Sequence, residues 1–226
     1  MLLADADLSA AARAYAEDDR LRWPDAVTSA ETAQLAAAAA GLPYDLMCTL
    51  EGRTAAISPE RLAAIPEEMR AKLVGDLHAE AARGVGYAYE GLRLGEGRGP
   101  APLETLHAAL NGRAVLDRIE AVTGARVTSA SAQVTRYRPG HYLTRHRDDP
   151  EGETRRLAYV LSLSADWHPD HGGLLMFFAD DGTPRDVWVP QAGTLSLFSV
   201  RHVHSVSVVA PFAPRPRLSV TGWFSA

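Results

Sequence analysis

The chain has 226 residues, 46% hydrophobic and 23% charged, and its 23 lysines and arginines against 28 aspartates and glutamates leave a formal charge of -5. These proportions are those of a soluble globular protein, one domain or one domain with an elaborated end, and they exclude disordered, collagenous and disulfide-stapled chains. The acidic balance argues against a direct nucleic-acid or membrane-surface role, and no apolar run is long enough for a transmembrane helix.

Asp7 to Asp19 has an alanine-rich helical composition, and Arg20 to Trp23 reads as a short extended piece ended by Pro24. Thr28-Ser29-Ala30-Glu31 has the pattern of a capping box, opening a helix over Ser29 to Ala40 that stops at Gly41. Ser58-Pro59-Glu60 is a second helix start, with proline in the first turn. Glu67 to Arg83 repeats the helical period, with Met69, Leu73, Leu77 and Ala81 on one stripe. Val85 to Leu94 alternates like a strand, and Gly95 to Pro102 is a glycine- and proline-rich loop expected to be mobile. Leu103 to Val122 is read as one further helix, closed by Gly124.

From about residue 126 the texture changes to short runs of period two, rich in Val, Tyr, Phe and Trp. Strands are expected near Val127–Tyr137, Tyr142–Asp148, Leu157–Ser164, Leu174–Phe178, Asp186–Val189, Thr194–Phe198, Ser205–Val209 and Arg217–Phe224. This makes an α+β chain in which residues 126–226 form a jelly roll or barrel. Residues 1–125, helical with a few strands, pack on one face of it within the same domain. The charge is split between the two parts: residues 1–125 carry 12 basic and 19 acidic side chains, and residues 126–226 carry 11 and 9. Solvated acidic helices, or a basic protein partner, account for the first part. Cys48 is the single cysteine and fits a reducing compartment. The opening residues MLLADADLSA carry acids where a signal peptide carries basic residues, so a cytoplasmic location is expected.

Six of the eight histidines lie between His141 and His204, which directs attention to metal or acid–base chemistry. In His146-Arg147-Asp148 the imidazole and carboxylate share a face if the segment is a strand. A third ligand from Arg201-His-Val-His204 would complete two histidines and one carboxylate on one side of a metal. That set suits a non-haem Fe(II) oxygenase, and equally a catalytic zinc site. In the last strand Arg217, Ser219, Thr221 and Trp223 share a face. An arginine on the inner face of a β core needs an anion, either a ligand carboxylate or an Asp or Glu of the chain.

These motifs, in this order, resemble the 2-oxoglutarate- and Fe(II)-dependent oxygenases of the prolyl hydroxylase type, and most closely the ribosomal-protein prolyl hydroxylases. The resemblance is carried by Tyr137, His146-x-Asp148, Arg155-Arg-Leu-Ala-Tyr-Val-Leu-Ser-Leu163, Asp166-Trp167 and Gly172-Gly-Leu-Leu175. It continues through Phe198-x-Val200, His204-x-Val206 and Arg217-Leu-Ser-Val-Thr-Gly-Trp-Phe224. It implies a double-stranded β-helix, a cupin-like jelly roll. It implies Fe(II) held by His146, Asp148 and His204, and 2-oxoglutarate bound by Arg217 with Tyr137 and Ser219. His202 competes with His204 for the third ligand position, and the His-x-Val pattern favours His204. Tyr142, of the same parity as His146, and Trp223, of the same parity as Arg217, are further candidates to line the pocket. Relatives often carry another co-substrate tyrosine where this chain has Leu161 or Ser162, and substrate contacts like those of the second β domain of the ribosomal-protein enzymes are expected to be missing or to come from elsewhere.

The implied reaction is hydroxylation of a C–H bond by O2, coupled to oxidation of 2-oxoglutarate to succinate and CO2. Asp148 supports this outcome, because the related halogenases lack the carboxylate. A prolyl residue of a protein or peptide, a ribosomal one included, is the expected substrate, with Gly95–Pro102 closing over it and Arg155 or Arg156 as contacts. The alternatives are hydroxylation of a free amino acid or other small molecule, and a cupin-like metal- or carboxylate-binding module without turnover. His168, His171 and His141 are read as loop residues. Asp148–Glu153 lacks the ligand spacing of a calcium loop, and Cys48 lacks a neighbour that would activate its thiol. Oligomeric state is not legible in the sequence.

Overall fold

The computed structural model describes residues 2–3, 7–84, 86–149, 152 and 154–226. Val85, expected to open a strand, and Pro150, Glu151 and Glu153 of the acidic stretch lie outside the described residues. The chain runs through α1 (Leu8–Asp18), β1 (Arg20–Trp23), α2 (Ser29–Ala40), β2 (Asp45–Leu50), β3 (Arg53–Ile57), α3 (Pro59–Ala64), α4 (Glu67–Ala82) and β4 (Tyr87–Arg93). There follow α5 (Ala101–Leu110), α6 (Arg113–Thr123), β5 (Ser129–Ala130), β6 (Gln133–Tyr137), β7 (Tyr142–His146) and β8 (Arg155–Ser162). A short 3-10 turn over Pro169–His171 precedes β9 (Leu175–Phe178), β10 (Pro184–Trp188), β11 (Leu195–Ser199), β12 (Val203–Val206) and β13 (Arg217–Ser225).

The strands form a curled antiparallel sheet in the order β1-β11-β8-β13-β6-β4-β7-β12-β9-β10, with β2 beside β4 and β3 beside β2. β13 is central, paired with β8 on one side and β6 on the other, so that Arg217 faces Tyr137 and Ser219 lies between Thr135 and Ser162. Curling brings β7 against β12, with His146 directly opposite His204. The sheet thus makes a half-barrel, open where these two strands meet the centre of β13.

Helices α1, α2, α5 and α6 cover the convex face. Their apolar residues recur at helical spacing, Leu103, Leu106 and Leu110 on α5 and Val115, Leu116, Ile119 and Val122 on α6. They join Leu157, Leu161, Leu195, Leu197, Val220 and Phe224 of the sheet in the main core, where each fully buried side chain contributes roughly 1.5–3 kcal/mol of transfer free energy. The capping box at Thr28 and Glu31 forms as its spacing predicts.

Three local expectations are corrected. The single helix expected over Leu103–Val122 is two, because the Asn111 amide donates to the carbonyls of His107 and Ala130 and accepts from the Ala130 amide, turning the chain at Gly112. The expected strand Val127–Tyr137 is divided into β5 and β6. The loop after β4 is anchored: the Glu104 carboxylate accepts hydrogen bonds from the Gly95 and Gly99 amides at 3.0 and 2.9 Å.

Candidate active site

His146 ends β7, Asp148 follows in the loop, and His204 lies within β12. One ligand atom from each falls within 4.8 Å of the others, and the set can hold a metal ion. Asp148 Oδ1 is 3.4 Å from His146 Nε2, and its Oδ2 is 3.5 Å from His204 Nε2. The Asp148 amide donates to the Val200 carbonyl at 3.1 Å, which fixes the loop. His146 Nδ1 lies 2.9 Å from the Thr144 carbonyl and His204 Nδ1 lies 3.0 Å from the His202 carbonyl. A carbonyl only accepts, so each Nδ1 carries the proton and each Nε2 presents its lone pair to the centre of the cluster, the arrangement metal-ligating histidines adopt.

Burial, aided by His146, pulls the His204 pKa down to about 4. Burial acts in the same sense on His146, but its hydrogen bond to Asp148 and the carboxylate charge outweigh it, and the net shift is upward. For Asp148 burial is likewise outweighed, by the His146 hydrogen bond and the neighbouring histidines, and its carboxyl sits below the ordinary range. The buried indole N–H of Trp223 faces Asp148 and also favours its ionised form. Phe198 packs edge-on against His204 at 4.8 Å, giving the cluster an apolar wall.

A cavity of about 460 Å3 connects the cluster to Arg217, Tyr137 and Trp223. Arg217 is 2% exposed. Its Nε has no hydrogen-bond partner, and among the described residues no carboxylate pairs with it. What it does have is the face of Tyr137, 5.2 Å from its guanidinium, and Tyr137 is in turn stacked on Tyr89 at 5.1 Å. Burial lowers the Arg217 pKa from its usual value, yet guanidinium stays charged at neutral pH. A buried cation without a counter-ion is costly, and here it borders a cavity able to admit an anion. Gly173, at φ +63°, lets the chain pass this side chain, since a Cβ there would lie 2.9 Å from Arg217 Cδ. The hydroxyls of Ser162 and Thr194, also buried without partners, line a small second cavity at Arg217.

The remaining sequence candidates divide. Trp223 lines the cavity, as its parity with Arg217 predicts. Ser219 is fully buried and its hydroxyl is 2.9 Å from Thr135 Oγ1, and Thr135 is the member of the pair that lines the cavity. Tyr142 lies on the other side of β7, in a cluster with Cys48 and Leu77, its hydroxyl donating to the Leu77 carbonyl at 2.7 Å. The cause is a register shift: Val206 pairs with Leu143 but His204 pairs with His146, so β7 holds one extra residue and its alternation reverses. His202 turns away, 2.8 Å from the Asp18 carbonyl, leaving His204 in the cluster. His168 and His171 sit on the 3-10 turn, and His141 Nδ1 accepts from the Arg138 amide. Tyr89 was not singled out in the sequence. The signal was there, since Tyr87 and Tyr89 share one face of β4 while Ala88 packs on the opposite side.

Residues 132–225 match the family model of the 2OG-Fe(II) oxygenase superfamily. Over these residues the β core is similar to a 2OG-Fe(II) oxygenase domain. Enzymes of this superfamily use Fe(II), 2-oxoglutarate and O2, and the donor set of the cluster and the orphaned Arg217 fit the first two. Solved structures share the fold across nearly the whole chain. A prolyl-4-hydroxylase of Pseudomonas putida is 22% identical, with 96% of this chain and 98% of that one covered, at a TM-score of 0.65. A prolyl hydroxylase of Trichoplax adhaerens, solved with a peptide of the hypoxia inducible factor oxygen degradation domain, is 16% identical over 96% and 88% of the chains, at 0.67. A 2OG-Fe(II) oxygenase family oxidoreductase of Burkholderia pseudomallei is 16% identical over 98% and 92%, at 0.64. A comparison with curated protein sequences finds no match.

Proposed function

We propose that this oxygenase hydroxylates a prolyl residue in a protein or peptide, with Fe(II) held by His146, Asp148 and His204 and 2-oxoglutarate anchored by Arg217. The observation that carries the co-substrate role is the buried, uncompensated guanidinium in the cavity of the His-Asp-His cluster. Its planar fork suits the distal carboxylate of a dicarboxylic acid. Bound iron supplies the activation of O2 and the oxidation of 2-oxoglutarate that drives hydroxylation.

The chain's own residues do the positioning. The Thr144 and His202 carbonyls hold the two imidazoles in the tautomer that donates through Nε2. Asp148 supplies the negative charge that balances the metal, and Trp223 faces it. Arg217 and Tyr137 orient the co-substrate along the cavity, and Phe198, Leu175 and Val206 keep that side of it apolar and dry. Ser219 supports this arrangement through Thr135.

The prolyl substrate is supported by likeness to prolyl hydroxylases in sequence motifs and in fold; a ribosomal protein is supported by the motifs alone. A reducing cytoplasmic setting suits Fe(II) and the buried free thiol of Cys48, whose pKa burial raises. Among the described residues no helix is long and apolar enough to cross a membrane. Incubating the iron-loaded protein with 2-oxoglutarate and prolyl peptides tests the reading. Succinate formed together with a peptide heavier by one oxygen supports it; 2-oxoglutarate consumed while only a free amino acid gains oxygen overturns the peptide substrate.

A further inference from the structure

The small cavity at Arg217 is bordered by three polar groups that the described residues leave unanswered. Ser162 Oγ, Thr194 Oγ1 and Arg217 Nε are buried there without a hydrogen-bond partner, and the three residues are 5%, 3% and 2% exposed. Strand register places them on one face. Leu195 of β11 pairs with Leu161 of β8, and the Ser162 amide donates to the Thr194 carbonyl at 3.0 Å, so Thr194 and Ser162 lie opposite each other. From the other side Ser219 of β13 pairs with Ser162, and Arg217, two residues earlier, shares its face. The two hydroxyls bond neither each other nor the guanidinium, although all three groups border one cavity. That cavity is about 10 Å3, the order of room that one water molecule needs, and a buried water takes roughly three polar partners. Arg22, on the far wall, is already committed to the Val189 carbonyl at 3.0 Å.

We propose that Ser162 and Thr194 hold one internal water on Arg217 Nε, and that this water fixes the depth of the guanidinium and so the length of 2-oxo diacid the site accepts. The inference rests on the reading of Arg217 as the anchor of the co-substrate's distal carboxylate. A bidentate pair with a carboxylate needs the guanidinium held in place, yet the arginine stem is rich in rotamers. Tyr137 covers the face of the group, which leaves its edge to be fixed. A water that accepts from Nε–H and donates to the two hydroxyl oxygens fixes that edge. The terminal nitrogens then meet a carboxylate at one distance from the metal cluster, and a diacid longer by one methylene fits badly. Ser162 and Thr194 are positioning residues in this arrangement, acting through Arg217 and not touching the co-substrate.

Titration calorimetry on the full-length protein loaded with Mn(II) tests this with three 2-oxo acids. These are 2-oxoglutarate, its six-carbon homologue 2-oxoadipate, and 2-oxobutyrate, which has no distal carboxylate. The wild type is expected to bind 2-oxoglutarate about tenfold or more tighter than 2-oxoadipate, the discrimination one methylene allows. Thr194→Val removes the hydroxyl at nearly constant shape. It is expected to weaken 2-oxoglutarate about tenfold and to narrow the preference to within about threefold, with 2-oxobutyrate unchanged. Thr194→Ser, which keeps the hydroxyl, should bind all three as the wild type does. Equal binding of the two diacids by the wild type, a full preference in Thr194→Val, the same loss in Thr194→Ser, or altered binding of 2-oxobutyrate overturns the inference. A crystal structure with 2-oxoglutarate reads the site directly: a water touching Ser162, Thr194 and Arg217 Nε supports it, and a carboxylate oxygen in that place overturns it. Arg217→Met separates the two readings. Loss of 2-oxoglutarate in that variant, with wild-type selectivity in Thr194→Val, leaves the anchor standing and removes the water. Undiminished 2-oxoglutarate binding in Arg217→Met removes the anchor and the inference with it.

Discussion

His204 and His146 face each other across β12 and β7 with ring centroids 4.2 Å apart, and each ring is pinned by a backbone carbonyl two residues before it. The same backbone-to-imidazole contact is built twice, once on each strand, so both Nε2 atoms point at Asp148 before any ligand arrives. The donor set is organised in advance, and what remains for a metal to contribute is charge.

Removing one member of this set should weaken metal binding severely. His204→Ala and Asp148→Ala are each expected to weaken Mn(II) binding, measured by titration calorimetry, beyond the roughly 10–100-fold typical of losing an outer-shell partner. His202→Ala should leave it within about threefold, since His202 is engaged with Asp18. Wild-type affinity in His204→Ala would displace it from the ligand set.

Arg217 should show opposite effects on stability and function. Arg217→Met removes a buried charge that lacks a counter-ion, so the ligand-free protein is expected to gain about 1–4 kcal/mol, the range seen when buried ions give way to packed apolar groups. The wild type should gain about 2.7 kcal/mol from 2-oxoglutarate at a hundred times its Kd, and the variant nothing. Thermal melts with and without 2-oxoglutarate read both; an equal shift of Tm in the two proteins would remove Arg217 from co-substrate binding.

Tyr142 separates parity from position. Tyr142→Phe loses one hydrogen bond to the Leu77 carbonyl and should cost about 0.5–1.5 kcal/mol in urea unfolding. The KM for 2-oxoglutarate should not change, because the ring lies across β7 from the cavity. A severalfold rise in KM would place the hydroxyl in the site after all.

Glu90 should govern part of the acid limb of stability. It bonds Arg136 and Arg138 and is 14% exposed; burial alone would raise its pKa, but the two arginines outweigh this and hold it below the ordinary 4.5. A depressed folded-state pKa means that the contribution is complete above the unfolded value and is lost as the pH falls through the folded one. Glu90→Gln is therefore expected to cost roughly 1.5–3 kcal/mol at pH 7 and progressively less below pH 4. A penalty that does not vary with pH would show that shape, not charge, holds this corner.

How much of this was legible in the chain depends on how far each inference reached along it. The capping box at Thr28, the Leu73, Leu77 and Ala81 part of the stripe on α4 (Met69, expected on it, is exposed) and the shared face of Arg217 and Trp223 are properties of a few consecutive residues, and period 3.6 or period 2 is enough to read them. The residue types at 146, 148 and 204 and their order were likewise plain, as was the oxygenase resemblance they support. Tyr142 was not, because one extra residue in β7 reverses the alternation, and only pairing with β12 reveals it. Nor was the break at Asn111, whose amide is satisfied by Ala130 on a distant strand, nor the engagement of Ser219 with Thr135 on β6. The sequence by itself determined which groups were available for chemistry. The tertiary structure decided which of them face one another, because a strand's alternation is local, whereas its register, its bulges and the partners of its polar atoms are set by the neighbouring chain.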